Sequence, residues 1–438
     1  MSVLEHRLLP DTADVDSDGM LRIGGCRVDD LADRFGTPLF IYDEQHLRSR
    51  CREAVAAFGP ERVVYATKAF LCRAMADLAY SEGMLLDVAS GGELYTALAA
   101  GVPASACVMH GNNKSARELT MAIEAGVRHI VVDSFDEMDR IEAIVAAGAP
   151  APEVLIRVTP GVHAHTHEFI ATGQDDSKFG FNLANGDAMA AVRRAASSPA
   201  MRLVGTHCHI GSNVFDASGF AKAAEVMARF AAPLDLPELV LGGGLGVAYV
   251  AGEEAPTIAT WGSVLLDACS ALGVTSRVSV EPGRSIVAAA AVTAYTIGTI
   301  KDIPGIRRYV AVDGGMSDNP RPVLYGSGYE ATLAREPFAD RTLESRIVGK
   351  HCESGDVLLS TAVLPNDAAV GDLLVTPVTG AYGHSMGSNY NKVLRPAVVF
   401  AASGSAREVI RRETYDDLLA TAARSAATFG EVASRRSP

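Results

Sequence analysis

From about residue 60 to residue 284 one pattern recurs along the chain. A short apolar run ends in a polar or glycine-rich tip, and a helical spacing of apolar positions follows. The runs cover 63–69, 84–90, 106–111, 129–134, 153–159, 203–210, 238–244 and 277–283. Several are near-continuous and rich in β-branched residues, as parallel strands buried on both faces require. The intervening segments, 91–100 and 220–232 for example, are long enough for crossover helices. Eight such units over roughly 225–250 residues predict a (β/α)8 barrel. Alternation alone leaves an open, doubly wound sheet as the alternative.

Beyond Arg284 the pattern changes. Segments 286–300, 308–313, 356–360, 372–377 and 397–402 read as strands separated by Gly, Pro and Asp turns, which predicts a mainly β second domain. Residues 20–41 are also strand material (MLRIGGCRV, then TPLFIYD) and could return to that β-domain. The expected division is 1–41 for these N-terminal strands, 42–284 for the barrel and 285–438 for the β-domain. The tail from about 413 reads as a short amphipathic helix with a Ser/Arg-rich end.

Composition narrows the classes of function. The chain has 438 residues, 48% hydrophobic and 21% charged, enough for a large core. A net charge of −13 argues against a nucleic-acid or anionic-membrane partner. The seven cysteines (Cys26, Cys51, Cys72, Cys107, Cys208, Cys269 and Cys352) are scattered, with no CxxC pair, which suits a reducing compartment. The first residues are polar and acidic, and no run of eighteen apolar residues occurs, so a cytoplasmic enzyme is expected.

Catalytic groups of a barrel collect at the C-terminal ends of its strands. Lys68 ends the first run. It is either a surface lysine at a strand end or a functional amine in a pocket, and burial near other charges would lower its pKa and favour a Schiff base. The 242–246 glycines have the composition of a phosphate cradle before a helix, although a tight turn needs the same residues. Arg284 adds a cation nearby, and Ser212 a hydroxyl. Glu281 is either a structural acid or a partner for a protonated pyridine nitrogen. His207 and His209 (HxH), and His163, His165 and His167, look like metal ligands, but no third ligand cluster accompanies them and no metal is expected.

Together these residues resemble a known family, the pyridoxal 5'-phosphate (PLP)-dependent decarboxylases with an alanine-racemase-like barrel, in particular its meso-diaminopimelate decarboxylase branch. The resemblance runs nearly end to end: YATKAF at Lys68, DVASGGEL at Asp87, HGNNKS at His110, HTHEFIATG and DSKFGF within 165–181, HCHIGSN at His207, GGGLG at Gly242, EPGRSIV at Glu281, DGGMSDNPRPVLYG at Asp313, CESGD at Cys352 and GAYGHSMGSNYN at Gly380. It implies that Lys68 forms the Schiff base, that Asp87 supports it, and that His209 stacks on the PLP ring. It assigns phosphate to Ser212, Gly243, Gly244, Gly246 and Arg284, counts Gly283 among the cofactor contacts, and gives the pyridine nitrogen to Glu281. Arg284, Arg321, Tyr325, Glu353 and Tyr382 would contact substrate, Tyr382 also touching PLP, and Cys352 would donate a proton. Cys352 and Glu353 would serve the other subunit's site, which implies a homodimer. The implied reaction converts meso-2,6-diaminopimelate to L-lysine and CO2, the last step of lysine biosynthesis.

Two positions depart from the family pattern. Asn213 stands where Gln is frequent, and Gly387 where a second Ser is commoner. A sister decarboxylase acting on D-ornithine, D-arginine, carboxynorspermidine or a carrier-bound amino acid is the nearest competing reading; Arg321, Tyr325 and Glu353 together argue against it. A non-catalytic PLP-carrying protein is a further one, opposed by the β-domain.

Overall fold

The structure is a computed structural model that describes residues 3–162, 174 and 176–422. The HAHTH run of His163, His165 and His167, the HTHEFIATG motif and residues 423–438 lie outside the described residues.

Eight parallel strands form one sheet in sequence order: β1 (Val64–Ala66), β2 (Leu85–Val88), β3 (Cys107–Met109), β4 (His129–Val132), β5 (Glu153–Thr159), β6 (Arg202–His207), β7 (Glu238–Val240) and β8 (Arg277–Ser279). Backbone hydrogen bonds from Val64 N to Val280 O (2.8 Å), Val280 N to Arg62 O (2.9 Å) and Ala66 N to Pro282 O (3.1 Å) join the last strand to the first. The sheet therefore curls back on itself, and the open doubly wound alternative is set aside. The strands are shorter than their apolar runs because the polar tips leave the ladder and turn over the barrel mouth. Helices such as Gly91–Ala99, Ala116–Ala125 and Phe135–Ala146 follow the strands. Ser90, Ser115 and Ser134 start them by accepting the amide N–H three residues on, which satisfies an otherwise orphaned donor.

The second sheet is mixed. Its central strand β9 (Ala291–Ile303) pairs antiparallel with Leu39–Asp43, Arg307–Val312 and Leu373–Pro377. Leu39–Asp43 in turn pairs parallel with Ala397–Ala402, which leads to Ser405–Ile410. Expectation and structure differ in three places here. Ile286 and Val287 belong to a short helix, Arg284–Val287, and not to the start of β9. Strands Leu343–Val348 and Ser405–Ile410 carry charged, partly exposed residues and gave no apolar run to read. At the tail, Asp417–Leu419 is a single 3-10 turn.

The two sheets share core. Tyr42 stacks on Phe70 with ring centroids 4.5 Å apart and meets Phe400 at 5.7 Å. Phe70 sits two residues past Lys68, so this aromatic contact anchors the turn that carries the lysine. Among the described residues no helix is long and apolar enough to cross a membrane.

The opposite end of the barrel is tied by charge. Buried Glu238 accepts from Ser279 Oγ (2.8 Å) and Arg277 Nη2 (2.9 Å), and His129 Nε2 lies 3.0 Å away. Burial alone would raise its pKa, but the hydrogen bond and charge of His129, with Arg277 and Ser279, hold it down to about 2. The carboxylate's contribution to stability is thus complete above its ordinary value of 4.5 and lost as pH falls from there through about 2. Glu238→Gln should cost about 2 kcal/mol of unfolding free energy near neutral pH. In denaturant titrations the gap from the unsubstituted protein should narrow across that acid window; a gap that is constant with pH would contradict this account.

Candidate active site at the barrel mouth

The strand tips and the β-domain enclose a cavity of about 800 Å³. Lys68, Asp87, His209, Ser212, Gly244, Glu281, Gly283, Arg284, Arg321, Tyr325 and Tyr382 all line it. Gly243, Gly246, Cys352 and Glu353 do not.

Lys68 occupies the 3-10 turn Thr67–Ala69 directly after β1. The turn is fixed on both sides. Thr67 Oγ1 donates to Asp87 O of β2 (2.7 Å), and Tyr65 OH closes onto Phe70 O (2.7 Å). From the β-domain, Tyr382 N donates to Ala69 O (2.8 Å), joined by Ser385 Oγ (3.2 Å). The amine therefore projects from a rigid base into the cavity, where among the described residues it has no hydrogen-bond partner. One expectation is corrected here. Burial pushes the Lys68 pKa down, and Arg157 acts in the same direction, but Tyr382, Asp87 and Glu281 outweigh them and it lies above the usual lysine value. The acids that surround the amine hold its proton, so it must lose that proton before it can act as a nucleophile.

The floor of the cavity is a buried polar cluster. Glu281 receives His207 Nε2 on one oxygen (2.9 Å) and His110 Nε2 near the other (3.0 Å). His110 Nε2 is also 3.7 Å from Asp87 Oδ1. Burial would raise the Glu281 pKa, but the two imidazoles hold it well below the carboxylate range. It is an anion, as a partner for a protonated pyridine nitrogen must be. The atoms of His110, His207 and Glu281 lie within 4.8 Å of one another, close enough for a metal; His207 Nε2 is engaged by the carboxylate, whereas His110 Nε2 lies 3.0 Å from it without an aligned hydrogen bond. His207 and His209 do not share a target: His209 Nδ1 accepts Gly243 N–H (3.2 Å). Burial, reinforced by Lys68 and Arg157, lowers the His209 pKa well below the usual value, leaving a neutral flat ring on the cavity wall.

At the rim are two buried arginines. Arg284 donates to Ser212 Oγ (2.9 Å) and Tyr249 OH (2.5 Å). Arg321 donates to Tyr329 OH (2.5 Å) and lies 4.4 Å from the Tyr249 ring centroid. Nε of each has no acceptor, and among the described residues neither forms an ion pair. A buried cation without an anion is costly unless a ligand supplies one, so this donor set suits an anionic ligand with more than one negative group. Tyr249 and Tyr329 carry these interactions, as His110 does those of the floor, and sequence reasoning gave the three no role. Scattered tyrosines mark no motif, and their hydroxyls matter only because of where the arginines lie.

The glycine turn does not sit at a helix start. No helix follows 242–246 until Ile258. A Cβ on Gly243 would lie 2.1 Å from Glu281 O, and one on Gly244, at φ +107, would lie 2.3 Å from Gly211 O. The run lets three loops pack backbone to backbone. Gly243 N–H goes to His209, and Gly246 N–H to Val214 O (2.9 Å), which leaves Gly244 as the predicted phosphate glycine that faces the cavity.

Cys352 and Glu353 are exposed. Cys352 N donates to Asn391 Oδ1 (3.0 Å), which ties the CESGD loop to the GSNYN segment away from the cavity. Of the two departures, Asn213 adopts φ +58, a left-handed conformation that Asn tolerates better than Gln. Gly387 packs with two carbonyl oxygens 3.1 Å from a would-be Cβ, so a Ser there needs a small shift.

A closed parallel barrel with a lysine after its first strand, an anionic floor and a cationic rim is the architecture of a PLP enzyme of the barrel type. The comparisons agree: residues 44–288 match the family model for the pyridoxal-dependent decarboxylase, pyridoxal binding domain. The chain is 47% identical over 424 residues to a diaminopimelate decarboxylase of Mycobacterium tuberculosis, covering 92% of this chain and 95% of the relative. It is 45% identical over 416 residues to that of Bacillus subtilis, covering 92% and 94%. The crystal structure of a diaminopimelate decarboxylase from M. jannaschii in complex with L-lysine superposes with a TM-score of 0.88 at 33% identity, covering 94% of this chain and 98% of that one. The chain belongs to the diaminopimelate decarboxylase family.

The rim charge, without an ion pair among the described residues, has a measurable consequence. Arg321→Met should leave the ligand-free protein at least as stable, by about 1 kcal/mol, or roughly 2 °C in Tm. A loss of several degrees would show that the protein itself neutralises this cation.

Proposed function

We propose that this chain decarboxylates meso-2,6-diaminopimelate to L-lysine and CO2 with pyridoxal 5'-phosphate as cofactor, the last step of lysine biosynthesis, in the cytoplasm. The observation that carries the reading is the vertical order of charge in one cavity: an anion flanked by two imidazoles at the floor, a lysine beside it and two arginines above, the lysine without a hydrogen bond and the arginines without an ion pair among the described residues.

The residues fit the cofactor. Arg284, Ser212 and Gly244 would take the phosphate, with Gly283 beside them. Gly243 and Gly246 would act by letting the turn approach, not by offering amides. Glu281 would meet the ring nitrogen, and neutral His209 would lie against the ring. Lys68 would bond to the aldehyde carbon, with Asp87 close by to accept or return its proton. When bound, PLP supplies an electron sink for the bond that loses CO2. The remaining work belongs to the protein. Arg321, with Arg284 and Tyr325, would bind substrate carboxylate, Tyr249 and Tyr329 holding the two guanidiniums in place. Tyr382 would contact both cofactor and substrate.

Cys352 and Glu353 would act on a second copy's cavity. Glu353 would pair with the distal ammonium, and the Cys352 thiol would return a proton to the α-carbon. The exposed position of both residues, off their own cavity, supports a homodimer with shared sites. We also propose the functional division stated above, with 1–41 and 285–438 completing a cavity built on 42–284.

Lys68→Ala should lose the visible absorbance that PLP gains on bonding to a lysine, and lose turnover. Among diaminopimelate, D-ornithine, D-arginine and carboxynorspermidine, only meso-diaminopimelate should release CO2 efficiently, with L-lysine found by chiral chromatography. Preferential release from another substrate would replace this reading with the sister decarboxylase. Mixing inactive Lys68→Ala and Cys352→Ala proteins should restore roughly a quarter of the activity, because half of randomly exchanged dimers would contain one intact site of two. No recovery from verified mixed dimers would exclude shared sites.

A further inference from the structure

We propose that His110 is a positioning residue of the cofactor site: a cationic imidazole wedged between Asp87 and Glu281 that keeps Glu281 ionised and oriented toward a ring nitrogen. The inference rests on the reading that this cavity receives PLP, and extends it to a residue outside the set of expected contacts.

Two buried carboxylates this close to one atom cannot both stay ionised without a cation between them. Nε2 of His110 supplies that position, 3.0 Å from Glu281 Oε1 and 3.7 Å from Asp87 Oδ1. The groups facing it are Asp87 from β2, Glu281 after β8, His207 at the end of β6 and Arg157 on β5, with Lys68 after β1 bordering the same carboxylates. Arg157 is the cation least free to help, since it lies 3.7 Å from Asp133. Lys68 is the other candidate, but its nitrogen is committed once it bonds to the cofactor. His207 is a poor source of charge, because burial lowers its pKa despite Glu281. For His110, burial also acts downward, yet Asp87 and Glu281 outweigh it and the pKa is raised. One imidazole thus supplies charge, and the other a hydrogen bond to the second oxygen.

The backbone that carries the imidazole is held firmly. His110 N donates to Val88 O (2.8 Å). The next carbonyl, Gly111 O, accepts from buried Lys114 Nζ (2.6 Å), which also bonds Val131 O (2.8 Å) and pairs with Glu137 (2.8 Å). A lysine buried for the sake of a loop carbonyl fixes the residue beside it. The His110 and His207 rings meet edge to face at 69° with centroids 5.1 Å apart.

The test is PLP binding to the full-length protein, followed by fluorescence quenching, as a function of pH. In His110→Asn and His110→Gln the Glu281 carboxylate should protonate more easily. PLP affinity should therefore fall about tenfold (about 1.4 kcal/mol) near pH 6, and the loss should shrink as pH rises to about 8. In a Glu281→Gln background the same His110 substitutions should change affinity little. A loss equal at every pH, or equal in both backgrounds, would mean that the ring only fills space and would overturn the proposal. If the unsubstituted protein fails to bind PLP, the underlying reading falls instead. Should both variants misfold, histidine-labelled NMR of the unsubstituted holoenzyme decides: one buried imidazole must stay doubly protonated through neutral pH, and its absence would refute the inference.

Discussion

Everything at the barrel mouth depends on the few backbone hydrogen bonds that seal β8 to β1. They bring the Lys68 turn and the Glu281 tip, which come from opposite ends of the barrel sequence, onto adjacent strands. Pro282 O accepts Ala66 N, so the EPGR segment is stitched to the residue two before Lys68. A Cβ on Gly283 would approach Ala66 Cβ to 2.9 Å, which shows how tightly the seam closes. Without it the lysine, the carboxylate and Arg284 would belong to separate edges of a sheet.

Once sealed, the cavity is ordered by charge. Acids and imidazoles gather at the floor, where Glu281 is hydrogen-bonded to His207 and both carboxyl groups lie against His110. Arginines gather at the rim, where they have hydroxyl and aromatic partners but no anion among the described residues. The contrast has a physical reason. A floor anion must be present whether or not ligand is bound, so the protein neutralises it internally. A rim cation is kept for an incoming anion, and an internal carboxylate would compete with it. Tyrosine hydroxyls orient the guanidiniums. The β-domain contributes to both levels through one loop, whose Tyr382 reaches the Lys68 turn by its backbone and Arg284 by its ring.

Much of this was legible in the chain. The eight apolar runs identified the strands, and their polar tips the reactive end, because burial on both faces forces a near-continuous apolar run whatever the neighbours. The strands that escaped notice, Leu343–Val348 and Ser405–Ile410, are partly exposed and carry no such constraint. The direction of the Lys68 pKa was misjudged from sequence because it is set by a balance. Burial pulls one way and three neighbours from separate elements pull the other, and only their arrangement decides between them. The glycine run was recognised but misassigned in part, since composition tells that backbones approach closely, not which backbones.

The sequence by itself determined the barrel's strand and helix order, the family, and the residues of the first expectation that line the cavity, because those depend on local periodicity and on contiguous motifs. Tertiary structure alone decided that the sheet closes, that His110 and not His209 joins His207 on Glu281, that Tyr249 and Tyr329 hold the arginines, and that Cys352 and Glu353 stand off their own cavity. These are contacts between residues far apart in the chain, each made by a side chain common enough to carry no local signature. Their meaning arises only when folding removes water from around them and leaves each charge with the few partners that the fold provides.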